Sequence, residues 1–129
     1  MSFGLLFWIA LGGGAGAVTR FLLSKGVQEA TGSAFPLGTL LVNVLGCLAI
    51  GFLAERLALS VLIREEHRLG LLVGLLGGLT TFSSFSWETL GLFTHGHLTA
   101  GILNVVLTNV LCLLGVFVGW RLAVALSGG

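Results

Sequence analysis

The 129-residue chain is 56% hydrophobic and only 9% charged, with a mean hydropathy of +1.10, whereas ordinary soluble domains carry roughly 25% charged residues. These values exclude a water-soluble domain and point to an integral membrane protein. Six Lys and Arg against five acidic residues give a net charge of +1, so there is no basic face for nucleic acid. At about 20 residues per crossing, residues 1–129 are expected to form a single four-span membrane unit with short loops. The N-terminus lacks the positive region of a signal peptide and is expected to be retained.

The first span is predicted over residues 3–23, with Trp8 near one end and a Gly12-Gly13-Gly14-Ala15-Gly16-Ala17 patch at its middle. Gly12 and Gly16 form a GxxxG pattern, which lets another backbone approach closely. Arg20 near the far end is either an interfacial anchor or part of a charged vestibule. Residues 24–36 turn polar, with Lys25, Gln28, Glu29 and the only proline, and read as a loop or interfacial turn.

The second span is predicted over residues 37–59. Asn43 falls inside it, and an amide there must find a partner across a helix interface or in an aqueous pore. The charged stretch over residues 56–68 is the longest aqueous connection, with His67 as a solvated loop residue.

The third span, residues 69–93, holds the most informative stretch. Glycines at 70, 74 and 78 recur every four residues; Gly77-Gly78 then leads into Thr80, Thr81, Phe82, Ser83, Ser84, Phe85 and Ser86. A lipid-facing helix has no use for such a hydroxyl cluster, and backbone that breaks in a membrane is tolerated only against protein or a water-filled cavity. The break is expected over residues 77–80, and the segment is expected to line a polar path. Glu88, an intramembrane carboxylate, is a functional candidate by default. His95 and His97 form a short turn without the further ligands that metal coordination needs.

The fourth span is predicted over residues 98–126. Asn104, Thr108 and Cys112 are spaced by four and share a helical face, which reads as a polar track or as a set of interhelical hydrogen bonds. Gly115 and Gly119 give a second GxxxG; Trp120 and Arg121 mark the closing interface. Cys47 and Cys112 lie in apolar runs and read as small hydrophobes. Arg56, Arg64, Arg68 and Arg121 fall on one side of the membrane against Arg20 and Lys25 on the other, so orientation is weakly specified and antiparallel pairing becomes a real possibility. Four short helices enclose little protected volume, and a homodimer is the simplest source of further neighbours.

Three segments together resemble the Fluc/CrcB family of fluoride channels. Gly12-Gly13-Gly14-Ala15-Gly16-Ala17-Val18-Thr19-Arg20 is similar to the family's GGxxGAxxR. Gly38-Thr39-Leu40-Leu41-Val42-Asn43-Val44-Leu45-Gly46 is similar to GTLxVNxxG. Gly74-Leu75-Leu76-Gly77-Gly78-Leu79-Thr80-Thr81-Phe82-Ser83-Ser84-Phe85 resembles GxxGGxTTFSTF, with Ser84 where Thr is common.

The resemblance implies an all-α membrane protein of four transmembrane helices, the third broken, assembled as an antiparallel, dual-topology homodimer. It implies two pores that carry fluoride passively out of the cytoplasm across the prokaryotic plasma membrane. By the same resemblance Phe82 and Phe85 are the pore phenylalanines, Asn43 is the amide donor beside them, and Thr81 and Ser84 supply hydroxyls near the pathway. The carbonyls of Gly77 and Thr80 from both chains would hold a structural sodium ion, and Arg20 would sit at a vestibule. The chemistry agrees: fluoride is small and strongly hydrated, so a pore must replace its water with donors, and aromatic rings offer positive edges to an anion. The match thins in the fourth span, where the family often shows a Tyr and Ser row. Asn104 and Thr108, with Glu88 and Arg20, are therefore secondary pore candidates. The rival is a small proton-coupled multidrug-type exporter working through Glu88. No nucleophile, base and orienting acid can be assembled from three loop histidines and five glutamates, so no enzyme is expected.

Overall fold

The computed structural model describes residues 1–58 and 60–128. Leu59, the expected last residue of the second span, and Gly129 lie outside the described residues. The order is α1 (Phe3–Thr31), α2 (Leu37–Ala58), α3 (Glu65–Leu69), a π-helical stretch (Gly70–Leu76), α4 (Gly77–Leu79), α5 (Phe82–Thr94) and α6 (Leu98–Leu126). Among the described residues four helical units are long and apolar enough to cross a membrane, the third running from Glu65 to Thr94 through an interruption.

α1 starts where the Ser2 hydroxyl accepts from the Leu5 N–H, and stops at Gly32, whose φ of 58° is left-handed. It therefore continues two turns beyond the expected span of residues 3–23, and most of the expected loop is helical. Polarity after Leu23 marks departure from the apolar layer, not an end to the helix; the stop waits for Gly32. Gln28 then fastens the tight link to α2. Its amide donates to the Ser33 and Phe35 carbonyls and accepts from the Gly38 N–H at 3.4 Å.

Backbone meets backbone where the helices cross. A methyl at Gly16 would collide with the Leu75 carbonyl and one at Gly12 with the Gly70 carbonyl, so α1 lies directly against the first half of the third span. α2 and α6 make the same kind of contact, with Gly119 seated against the Leu48 carbonyl. Lipid tails are as apolar as the side chains, so this close approach supplies the van der Waals attraction that holds the helices together. At one end of the bundle Ser2 donates to Glu66 at 3.1 Å, Trp8 stacks edge-on against His67 at 4.6 Å, and Arg56 donates to Ser127 at 2.9 Å. Both termini and the segment after α2 therefore share that end. His67, expected in a loop, lies within α3 and is exposed on one side.

The third span breaks at Thr80 and Thr81, both extended, with φ/ψ of −82°/151° and −151°/119°. Gly77, Gly78 and Leu79 remain helical, so the interruption falls at the end of the expected 77–80 window and extends past it. The hydroxyls and a partner helix decide this, not the glycines. The Thr80 N–H and hydroxyl both donate to the Leu76 carbonyl at 3.0 Å. The Thr81 N–H donates to Asn43 Oδ1 at 2.7 Å, while Asn43 Nδ2 donates to the Thr81 carbonyl at 3.0 Å. Because the N–H can only donate and the carbonyl only accept, this pairing fixes which way the amide faces. Thr81 then caps α5, its hydroxyl accepting from the Ser84 N–H at 3.1 Å.

Gly16→Leu is expected to overpack the α1 crossing by about 1–3 kcal/mol or more, whereas Gly14→Ala, with open space around the added methyl, gains up to about 1 kcal/mol of helix propensity. Thermal unfolding in detergent, followed by size-exclusion fluorescence, reads both. Asn43→Ala strands two buried backbone groups of Thr81, at about 1–3 kcal/mol each, and lowers the same midpoint more than an exposed substitution does.

Candidate functional site

The bundle buries polar side chains where a soluble protein would bury apolar ones. Thr39, Asn43, Thr81, Thr89, Asn104 and Thr108 are buried, while long apolar residues cover the outside. In a membrane such groups must be satisfied by one another or by a polar cavity, and here both occur.

A cleft of about 280 Å³ opens beside the helix break, lined by Asn43, Thr81, Phe82, Phe85 and Thr108 among others. Phe82 is 72% exposed and Phe85 only 5%, and their rings are tilted by 55° with centroids 5.1 Å apart. The α5 cap places them, since residues three apart on a fresh helix fall on one side. Asn43 commits one amide N–H to Thr81 and retains a second. The Thr81 hydroxyl donates to Ser84 Oγ at 3.1 Å; Ser84, accepting, keeps its own O–H as a donor. The first N–H groups of α5 carry about half a positive charge at this end of the helix, so the break presents donors and positive potential together.

A larger vestibule of about 670 Å³ lies further along α5, lined by Lys25, Gln28, Thr39, Glu88, His95 and His97 among others. Thr39 donates to Glu88 Oε1 at 2.7 Å, and Glu88 Oε2 is buried without a hydrogen-bond partner among the described residues. Thr39 was not singled out in the sequence. Its signal is its position four residues before Asn43, on the same face of α2. Thr39 in the vestibule and Asn43 and Cys47 in the cleft form one row, spanning roughly 12 Å of helix at 1.5 Å per residue.

The secondary candidates separate. Asn104, 1% exposed, donates to the Thr89 hydroxyl at 2.9 Å, and Thr89 donates to the Phe85 carbonyl at 2.7 Å. Of its two readings Asn104 takes the interhelical bond, tying α6 to α5 behind Phe85. Thr108 donates to Asn104 Oδ1 at 3.3 Å and also lines the cleft. Arg20 is half-buried on α1 one residue before Phe21, which lines the vestibule. Thr80 lines the cleft and Gly77 is exposed. In an unbroken helix the Thr81 N–H would bond the Gly77 carbonyl; here it goes to Asn43. The Gly77 oxygen is thereby released, a hard donor of the kind that suits a small cation.

The sequence profile of the family described as CrcB-like protein, Camphor Resistance (CrcB), matches residues 7–120. A protein of Methylococcus capsulatus named "Fluoride-specific ion channel FluC" is 49% identical over 124 residues, 96% of this chain and 54% of that protein. Relatives bearing the same name from Geobacter sulfurreducens and Aquifex aeolicus are 47% and 43% identical, over 86% and 95% of this chain and 90% and 99% of their own lengths. The chain thus spans about half of the first relative and nearly all of the other two. The profile covers most of the chain and these relatives all exceed 40% identity, so the chain belongs to the CrcB family.

Proposed function

We propose that this multi-pass protein is a fluoride-selective channel of the bacterial plasma membrane that passes fluoride passively out of the cytoplasm. The carrying observation is a cleft in an apolar bundle, at a helix break, that offers an amide donor, hydroxyl groups and aromatic rings but is lined by no charged side chain among the described residues. The relatives' shared name supports fluoride as the ion. As a channel the protein conducts and catalyses nothing.

Fluoride gives up water only against donors of comparable number. Asn43 supplies its second amide N–H in the cleft and Ser84 a hydroxyl beside it, next to the Thr81 cap, and the Phe82 and Phe85 ring edges add weak positive contacts. A full cation in the cleft would hold the anion too firmly. Weak, repeated contacts let it leave. Thr39 and Glu88 flank the route from the vestibule, whose lining includes Lys25 paired with Glu29 at 3.8 Å.

The functional unit is an antiparallel, dual-topology homodimer with two pores. Its support is the weak bias of Arg and Lys, four at one end against two at the other, and the large exposure of Phe82, which a second chain would cover. The Gly77 and Thr80 carbonyls of both chains fit a sodium ion, because the break frees hard oxygens on an exposed part of the chain. A sodium ion held there supplies a fixed positive charge near the anion path.

Liposomes loaded with fluoride and clamped with a potassium ionophore are expected to release fluoride and almost no chloride. Equal chloride release contradicts the proposal, and a strict requirement for a pH gradient favours a Glu88-based exporter instead. Phe82→Ile is expected to slow fluoride release roughly tenfold, about 1.4 kcal/mol at the barrier, while size-exclusion elution stays unchanged. Unaltered flux would remove Phe82 from the path.

A further inference from the structure

One pair of side chains in the cleft has no part in this mechanism. Cys47 of α2 and Cys112 of α6 both line it, and both are free thiols. They belong to different helices, 65 positions apart in the sequence, yet both face the same small cleft from opposite helices. The helix crossing explains the meeting. Gly115, on the turn after Cys112, is so close to α2 that a methyl added to it would lie 3.6 Å from Cys47 Cβ, and the absent side chain lets Cys47 reach α6 beside Cys112. Each thiol also ends a polar row. Cys47 follows Thr39 and Asn43 at four-residue steps on α2, and Cys112 follows Thr108 at the same step on α6. The rows converge on two sulfurs at the end of the cleft away from the vestibule.

Two thiols on one cleft, half-buried and without a third His, Cys or carboxylate ligand among the described residues, cannot complete a tetrahedral zinc site. They fit instead a soft cation that accepts two sulfur ligands in line. We propose that Cys47 and Cys112 form a two-thiol site for a soft, thiophilic metal ion in the wall of the anion cleft, and that occupying it closes the path. Mercuric ion is the probe. It displaces one proton from each thiol, forms two Hg–S bonds and leaves a neutral bridge, with no change in oxidation state. The bridge fills the cleft between α2 and α6 beside Phe85. The effect on conduction rests on the channel reading above; the metal site itself does not.

The test combines intact mass with fluoride release from liposomes. Wild-type protein treated with mercuric chloride is expected to gain one mercury and lose two hydrogens per chain, to keep the metal against excess glutathione, and to lose most of its fluoride release. Excess dithiothreitol restores both. Cys47→Ala and Cys112→Ala each are expected to bind mercury through a single sulfur, surrender it to glutathione and then release fluoride at their own untreated rates. The double variant takes up none. Two mercury ions per wild-type chain, or single variants that hold mercury as firmly as the wild type, would show that the thiols act separately and overturn the site. One bridging mercury with undiminished fluoride release would place the pair outside the path and overturn the block. Failure of untreated protein to release fluoride would count against the channel reading alone, because the mass measurement still decides the metal site.

Discussion

Asn43 exchanges two hydrogen bonds with the backbone of Thr81, at 2.7 and 3.0 Å, in the middle of an apolar bundle. Nearly every other feature of the site depends on that exchange. A helix interrupted within a membrane leaves N–H and C=O groups that lipid cannot satisfy, each costing several kcal/mol. One amide on a neighbouring helix satisfies a donor and an acceptor together and pins the break to one residue. With Thr81 held extended, α5 begins anew under the Thr81 cap, Phe82 and Phe85 fall on the cleft side, and the Gly77 carbonyl loses its usual donor.

The clamp needs close neighbours to keep its geometry. Gly46, one turn beyond Asn43, leaves room for the Thr80 methyl, since a side chain there would strike it. Gly16 seats α1 against the Leu75 carbonyl just before the break. Asn104 reaches Thr89 and fixes α6 behind Phe85. The small and polar residues of all four spans thus converge on one short interruption, while the bulky apolar ones face outward. That distribution is the reverse of a soluble core and is what lipid as solvent requires.

The four crossings, the close approach at Gly12 and Gly16, the hydroxyl cluster in the third span and the need of the Asn43 amide for a partner were all legible in the residues, because each follows from hydropathy, spacing or the cost of a buried amide. The length of α1 was not. Lys25, Gln28 and Glu29 look like a loop by composition, but helices continue into the interface until a left-handed glycine stops them, and that is Gly32. The site of the break was displaced for a similar reason. Gly77 and Gly78 permit a break, but Thr80 and Thr81 carry it, because a partner on another helix rewards extended backbone only there. Thr39 and its bond to Glu88 join residues 49 apart, a pairing that no local pattern reveals. The two readings of Asn104 likewise needed the position of Thr89, on a different helix, to be resolved.

On the proposed function the cleft at the break would select by dehydration, taking an ion that neutral donors and ring edges can strip of water and rejecting larger halides. Single-channel recording in a planar bilayer, with unequal fluoride on the two sides and chloride varied independently, tests this most directly. The reversal potential is expected to follow the fluoride equilibrium potential and to ignore the chloride gradient. A reversal potential that moves with chloride would contradict it.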